Sequence, residues 1–321
     1  MSSRMVNAAG LRKIETRQLP YRFRADYIPS ILASREEAPS ISSPAFIKAP
    51  RWRRTIHCLS TQEVIAVLLA LLHPRLLDLH EQKMIPRWPL PHPVCGMPGV
   101  ESEGLPIFRG SVEVASRLGY LDTLPLVWDI GARGERIRVV YPYVGDVMLF
   151  LRDDTGVYCV NWSVKSGKGD HILPGPDVRK PHTQGDLRAA RARFEIELET
   201  YADVGIRTVA VAGQAIDPIL AANLQRAYPY CCQEVVIRED LRRRILNLYR
   251  QAIDHGAPPS EVLTHLVAHG ICDAYVARHT FYTAPFEGDL RLDLTRPLLF
   301  DCSVKILPSD APPPHADWFA R

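Results

Sequence analysis

Residues 139–166 read VVYPYVGDVMLFLRDDTGVYCVNWSVKS, two β-rich runs at 139–151 and 157–166 around the turn signal Asp153-Asp154-Thr155-Gly156. Apolar runs broken by such a turn specify an antiparallel hairpin, and its register decides which side chains share a face. With a two-residue loop at Asp154-Thr155, Asp146 stands opposite Ser163; with a loop at Thr155-Gly156 it stands opposite Lys165. Either way Asp146, Asn161, Ser163 and Lys165 project from one face, because side chains alternate along a strand. A carboxylate beside a lysine on adjacent strands suits metal-dependent phosphodiester cleavage. The carboxylate holds Mg²⁺, while the ammonium orients water and offsets charge at the phosphate. The same pair also reads as an ordinary cross-strand ion pair.

At 321 residues and 46% hydrophobic content, the chain can bury a large core as one large or two ordinary domains. A net charge of +3 is too small to imply nucleic acid by itself. The seven cysteines form no C-x-x-C pair, which suits a reducing cytosol better than a disulfide framework. No apolar run reaches the length of a bilayer span and no signal-like segment opens the chain, so a soluble cytoplasmic protein without membrane contact is expected.

Residues 1–54 are basic and irregular, with aromatics interleaved, and suggest an arm that follows a phosphate backbone through Arg51, Arg53 and Arg54, or one that docks on its own domain. Ser60 and Glu63 then form a capping-box pattern ahead of an apolar run stopped at His73-Pro74, so Glu63 has a structural role open to it as a cap. A strand is expected over 77–85 and a short helix over 112–118. Residues 167–185 are a polar Gly/Pro loop whose Ser166-Gly167-Lys168-Gly169 lacks the spacing of a phosphate-binding loop. An amphipathic helix over 186–204 and a buried strand over 208–212 complete an α/β layered domain.

From about residue 218 the texture changes. Three helices are expected, over 238–252 with Arg242, Arg243 and Arg244, then 261–268 and 271–282, followed by β-like runs at 290–294 and 298–306, the pattern of a winged helix-turn-helix. His265 and His269 lack the intervening glutamate of a zinc helix and read as ordinary helix residues. Residues 308–321 form a Pro-rich tail or a partner-docking strip.

The order of these pieces resembles the TnsA family, endonuclease subunits of heteromeric transposases with the restriction-endonuclease-like PD-(D/E)xK fold. The likeness rests on Glu63 in a capped helix ending at a proline, Asp78-Leu79-His80-Glu81-Gln82 in the following strand, and a helix over 111–119. It continues with Asp146, Ser163-Val164-Lys165, and Arg193-Phe194-Glu195-Ile196-Glu197 with Tyr201 and Gly205-Ile206 before a hydrophobic strand. It covers about half the chain, residues 55–217. The resemblance implies a mixed sheet flanked by helices and a C-terminal winged-helix-like domain over 218–307. It also implies a Mg²⁺-dependent endonuclease, with Mn²⁺ as substitute, that nicks the 5′ ends of a mobile element in the bacterial nucleoid. Glu63, Asp146 and Ser163 would hold the metal and Lys165 would position water, with Glu81, Gln82, Asn161, Glu195 and Glu197 in support. Implied partners are transposon-end double-stranded DNA, a DDE-type transposase and an ATP-dependent regulator. A stand-alone restriction or repair nuclease and a catalytically weak DNA-binding adaptor are the alternatives.

Overall fold

The computed structural model describes residues 6–40, 42–173 and 183–321. The chain opens with α1 (Ala8–Gln18), capped by Asn7, and the antiparallel pair β1 (Ala45–Ala49) and β2 (Arg54–Cys58). Helix α2 (Thr61–Leu71) starts at Ser60, whose hydroxyl accepts from the Glu63 N–H at 3.2 Å. Every residue from Glu63 to Leu71 is buried, as expected of a helix apolar on all sides. Strand β3 (Leu76–Met84), α3 (Ser111–Leu118) and the small antiparallel pair β4 (Leu126–Ile130) and β5 (Arg136–Val140) follow. Then come β6 (Val144–Asp153), β7 (Gly156–Lys165), α4 (Gln184–Ala202) and β8 (Arg207–Ala212). Four further helices close the order: α5 (Pro218–Cys231), α6 (Glu239–Asp254), α7 (Pro259–Ala268) and α8 (Ala274–Glu287).

The central sheet is mixed, in the order β3-β6-β7-β8, with only β8 running parallel to its neighbour. One face carries Leu79, Val147, Leu149, Val160, Trp162 and Val164 against α2 and the C-terminal helices. The other carries Met148, Phe150 and Cys159 against α3 and α4. A layered α/β domain with a mixed sheet flanked by helices is therefore what this sequence builds.

Three local features differ from expectation, and a fourth follows one of two readings. The first arm of the hairpin is divided: Pro142 cannot donate to a ladder, so 136–140 pair with β4 and only 144–153 join the central sheet. The two C-terminal β-like runs meet in a single bridge, Leu292 with Ile306, rather than a ribbon. Residues 6–40 and 42–54 dock on their own domain, the second of the two roles open to the basic segment, with Ile14 and Ile47 fully buried and Trp52 4% exposed. The Pro-rich stretch also folds back, stacking Phe319 and Trp318 edge-on against Trp162 at 5.1 and 6.0 Å between ring centres. Of the polar loop at 167–185, residues 174–182 lie outside the described residues, as do residues 1–5 and 41 of the basic segment.

Candidate active site

The hairpin takes the register of the Asp154-Thr155 loop, with Asp153 opposite Gly156 and Val147 opposite Trp162. Asp146 Oδ2 accepts from the Val164 N–H at 2.7 Å and from Lys165 Nζ at 2.9 Å. The same ammonium donates to the Val164 carbonyl at 3.0 Å. A cation thus sits between a carboxylate oxygen and a backbone oxygen at the end of β7. Burial pushes the Asp146 carboxyl up, but Lys165 and then Arg193 outweigh it and hold it below its ordinary value.

Glu63 reaches the same region from the first turn of α2. Its Oε2 accepts from the Leu59 N–H and from Gln82 Nε2, both at 2.8 Å, and its Oε1 from the Ser60 hydroxyl at 3.0 Å. The capping role is therefore real, and it leaves acceptor capacity on Oε1, since a carboxylate offers about four lone-pair sites. Burial, reinforced by the negative charge of Asp146, pushes the Glu63 carboxyl up to about 7.

Gln82 holds Glu63 from an unusual backbone. Its φ is 48°, in the left-handed region that non-glycine residues seldom enter. The flanking pairs Glu81 with Val147 and Lys83 with Gly145 place it across from Asp146. Such a conformation costs on the order of 1–3 kcal/mol and persists only where its surroundings fix it.

On the α4 side, Glu197 is 3% exposed and accepts from Asn161 Nδ2 at 2.8 Å. Burial and then Asp146 raise its carboxyl above the ordinary range. Asn161 thus directs its amide to Glu197 and, at 3.3 Å, to the Thr208 hydroxyl. Ser163 faces His171, with 3.4 Å between Oγ and Nδ1. His171 is 6% exposed, burial lowers its pKa, and its Nε2 has no hydrogen-bond partner. Nothing in the loop's sequence marks this histidine; only its return to β7 brings it to Ser163. Glu63, Ser163, Lys165, His171, Arg193 and Glu197 line one cleft of about 950 Å³.

Other expected residues lie elsewhere. Glu81 points to the opposite side of β3, where it pairs with Arg54 at 2.8 Å and accepts from the His57 N–H at 3.0 Å, fastening β2 to the sheet. Glu195 sits on the outer face of α4, bonded to Arg191 and Tyr120. Arg54 is consumed by Glu81, and Arg51 lies against Trp52, so of that cluster only Arg53 is exposed. The three arginines of α6 diverge: Arg242 pairs with Glu287 at 2.7 Å, Arg243 with Glu239 at 2.9 Å, and Arg244 is exposed.

Among the described residues, no group of three or more His, Cys, Asp and Glu side chains is arranged to hold a metal. Mg²⁺ asks for less, because it keeps several waters and is usually bound by one or two carboxylates together with substrate phosphates. The two-carboxylate set of Glu63 and Asp146 fits that habit. Two observations agree: a Glu63 raised by burial and then by the charge of Asp146, which a divalent cation would offset, and the Lys165 ammonium already lodged on hard oxygens. No protein-family model matches this chain, and no curated protein matches it significantly.

Proposed function

We propose that this protein is a Mg²⁺-dependent DNA endonuclease subunit of a bacterial transposition system. The observation that carries the reading is the sharing of Asp146 Oδ2 by Lys165 and the Val164 N–H beside a Glu63 that feels the same charge. Glu63 and Asp146 would hold Mg²⁺, which supplies Lewis-acid polarisation of the scissile phosphate. Lys165, steered by Asp146 and the Val164 carbonyl, orients the attacking water and offsets charge developing on the phosphate oxygens. Glu197, held by Asn161, and Ser163 with His171 line the same cleft as Glu63 and Lys165. Gln82 fixes the carboxylate of Glu63. Helices α6–α8 serve as a winged-helix-like module for partner contact. The resemblance supplies the partners: transposon-end DNA, a DDE-type transposase that cuts the 3′ ends, and an ATP-dependent regulator.

The test is nicking of DNA by the full chain with its transposase in Mg²⁺ or Mn²⁺. Lys165→Ala should abolish cleavage while leaving complex assembly intact. Undiminished cleavage by that variant would remove the nuclease reading. A second reading, the catalytically weak adaptor, draws on Ser163, a neutral hydroxyl and a poor Mg²⁺ ligand. Assembly with no cleavage by the wild type would favour it.

A further inference from the structure

Strands β4 and β5 form a two-stranded ribbon of their own, outside the central sheet. Both legs of the ribbon are rooted at the cleft that holds Glu63 and Lys165. Thr123 and Pro125, just before β4, line that cleft, and so does Tyr143, just after β5. The Tyr141 N–H donates to the Pro125 carbonyl at 2.7 Å and ties the legs together there. Five paired residues on each strand, at about 3.4 Å each, then carry the turn at 131–135 about 17 Å from this root.

Strand alternation gives the ribbon two unlike faces. One packs Val127 and Val139 on Leu11 and Ile14 of α1, and its Asp129 pairs with Arg12 at 2.6 Å. The other sets Leu126, Trp128 and Ile130 opposite Val140, Arg138 and Arg136 in that order. Trp128 is 54% and Ile130 64% exposed. Two guanidiniums lie over the Trp128 ring, Arg136 at 4.9 Å and Arg138 at 5.8 Å from its centre. Among the described residues neither arginine has a carboxylate partner, and nor has the exposed Arg133 in the turn. Other exposed arginines, such as Arg188, Arg191 and Arg321, are answered by Asp122, Glu195 and Asp153. The acid of the turn, Glu135, lies against Gly131 and accepts from the Arg133 N–H at 3.0 Å.

We propose that this exposed face of the β4–β5 ribbon docks duplex DNA beside the cleft. Three guanidiniums without counter-charge within six positions call for a polyanion. A purely apolar partner would cover Arg136 and Arg138 without answering their charge, and burying an unpaired charge is costly. A two-stranded ribbon fits the major groove, which is about 12 Å wide. There arginine bonds phosphate or the guanine edge, and apolar side chains such as Ile130 meet thymine methyl groups. Trp128 already holds both guanidiniums, so less side-chain freedom is lost on docking. At a rise of about 3.4 Å per base pair, the ribbon would follow about five base pairs leading to the cleft. The choice of DNA as the polyanion rests on the nuclease reading; the placement rests on the root that ribbon and cleft share.

The experiment is fluorescence anisotropy of a labelled DNA duplex with the full chain, in EDTA so that no cleavage occurs, over a series of salt concentrations. Arg136→Gln combined with Arg138→Gln should weaken binding at least about tenfold and flatten the log–log salt slope by about two units, one for each lost phosphate contact. Its melting temperature should match that of the wild type, because both side chains are exposed. Trp128→Ala should weaken binding with little change of slope, since it frees the guanidiniums without removing their charge. Unchanged affinity in the folded double variant would overturn the proposal and leave the nuclease reading standing. No binding of DNA by the wild type would also overturn it, as would a loss of self-association in place of DNA affinity, which would give the face to a second copy of the chain. Binding that depends on the two arginines, with no cleavage once Mg²⁺ is added, would support the docking face and remove the nuclease reading.

Discussion

Gln82 and Asp146 face each other across β3 and β6, and Gln82 turns from that position to donate to Glu63 at 2.8 Å. A residue with φ of 48° therefore links the helix-borne carboxylate to the strand that carries the other one. Gln82→Ala should loosen Glu63 rather than remove a ligand. The expected result is weaker Mn²⁺ binding by calorimetry with the fold retained by circular dichroism. Unchanged Mn²⁺ affinity would mean that Ser60 and Leu59 alone fix the carboxylate.

Asp146→Ala removes a carboxylate and also the anchor of Lys165. Mn²⁺ binding should be lost, and cleavage with it. Wild-type Mn²⁺ affinity in the folded variant would contradict the placement of the metal.

Glu63 gives a pH signature. Its carboxyl is raised to about 7 in the folded protein, so the native state holds this proton more tightly than the unfolded chain does. The associated stability is complete below the ordinary glutamate value and is lost as pH rises through about 7. Glu63→Gln keeps the hydrogen-bond acceptor and removes the charge. Denaturant midpoints measured at about pH 5 and about pH 8 should therefore shift in favour of the variant at the higher pH. A pH-independent difference between variant and wild type would show that Glu63 is not strained by ionisation.

Arg54 and Arg244 separate fold from binding. Arg54 forms a buried pair with Glu81, the two side chains being 4% and 1% exposed. Arg54→Ala should destabilise by about 3–5 kcal/mol, because it strands a buried carboxylate. Arg244→Ala, at an exposed position, should leave stability within about 0.5 kcal/mol. Urea titrations of the two variants give the comparison, and similar midpoints would refute it.

Phe319→Ala should cost about 3–5 kcal/mol, because this ring is 3% exposed and packs on Trp162 and His73. A loss below about 1 kcal/mol would mean that the segment is only laid against the sheet.

Much of the sheet was legible from the chain. Alternation and a two-residue turn fix which side chains share a face, so Asp146, Ser163 and Lys165 were gathered correctly from the order of residues. The choice between Glu195 and Glu197 was not legible, because both lie on α4 and only its packing against the sheet turns Glu197 inward. Arg51 and Arg54 read as surface cations, since arginine is rarely buried; the matching carboxylate, Glu81, lies on another strand. His171 escaped notice because its neighbours follow no period. The return of Phe319 to Trp162 escaped notice because proline-rich composition says nothing about distant aromatic partners.

That return has a consequence for how the molecule comes apart. Trp162 lies between Asn161 and Ser163 on β7, and its indole N–H donates to the Trp318 carbonyl at 2.8 Å, across 156 positions of chain. The apolar cluster that holds both ends of this contact also contains α2 and parts of α5 to α8. Opening the C-terminal helices thus exposes the back of the strand whose front bears Lys165. Amide hydrogen exchange should find β7 and the C-terminal helices opening with one shared free energy, as a single cooperative unit rather than two.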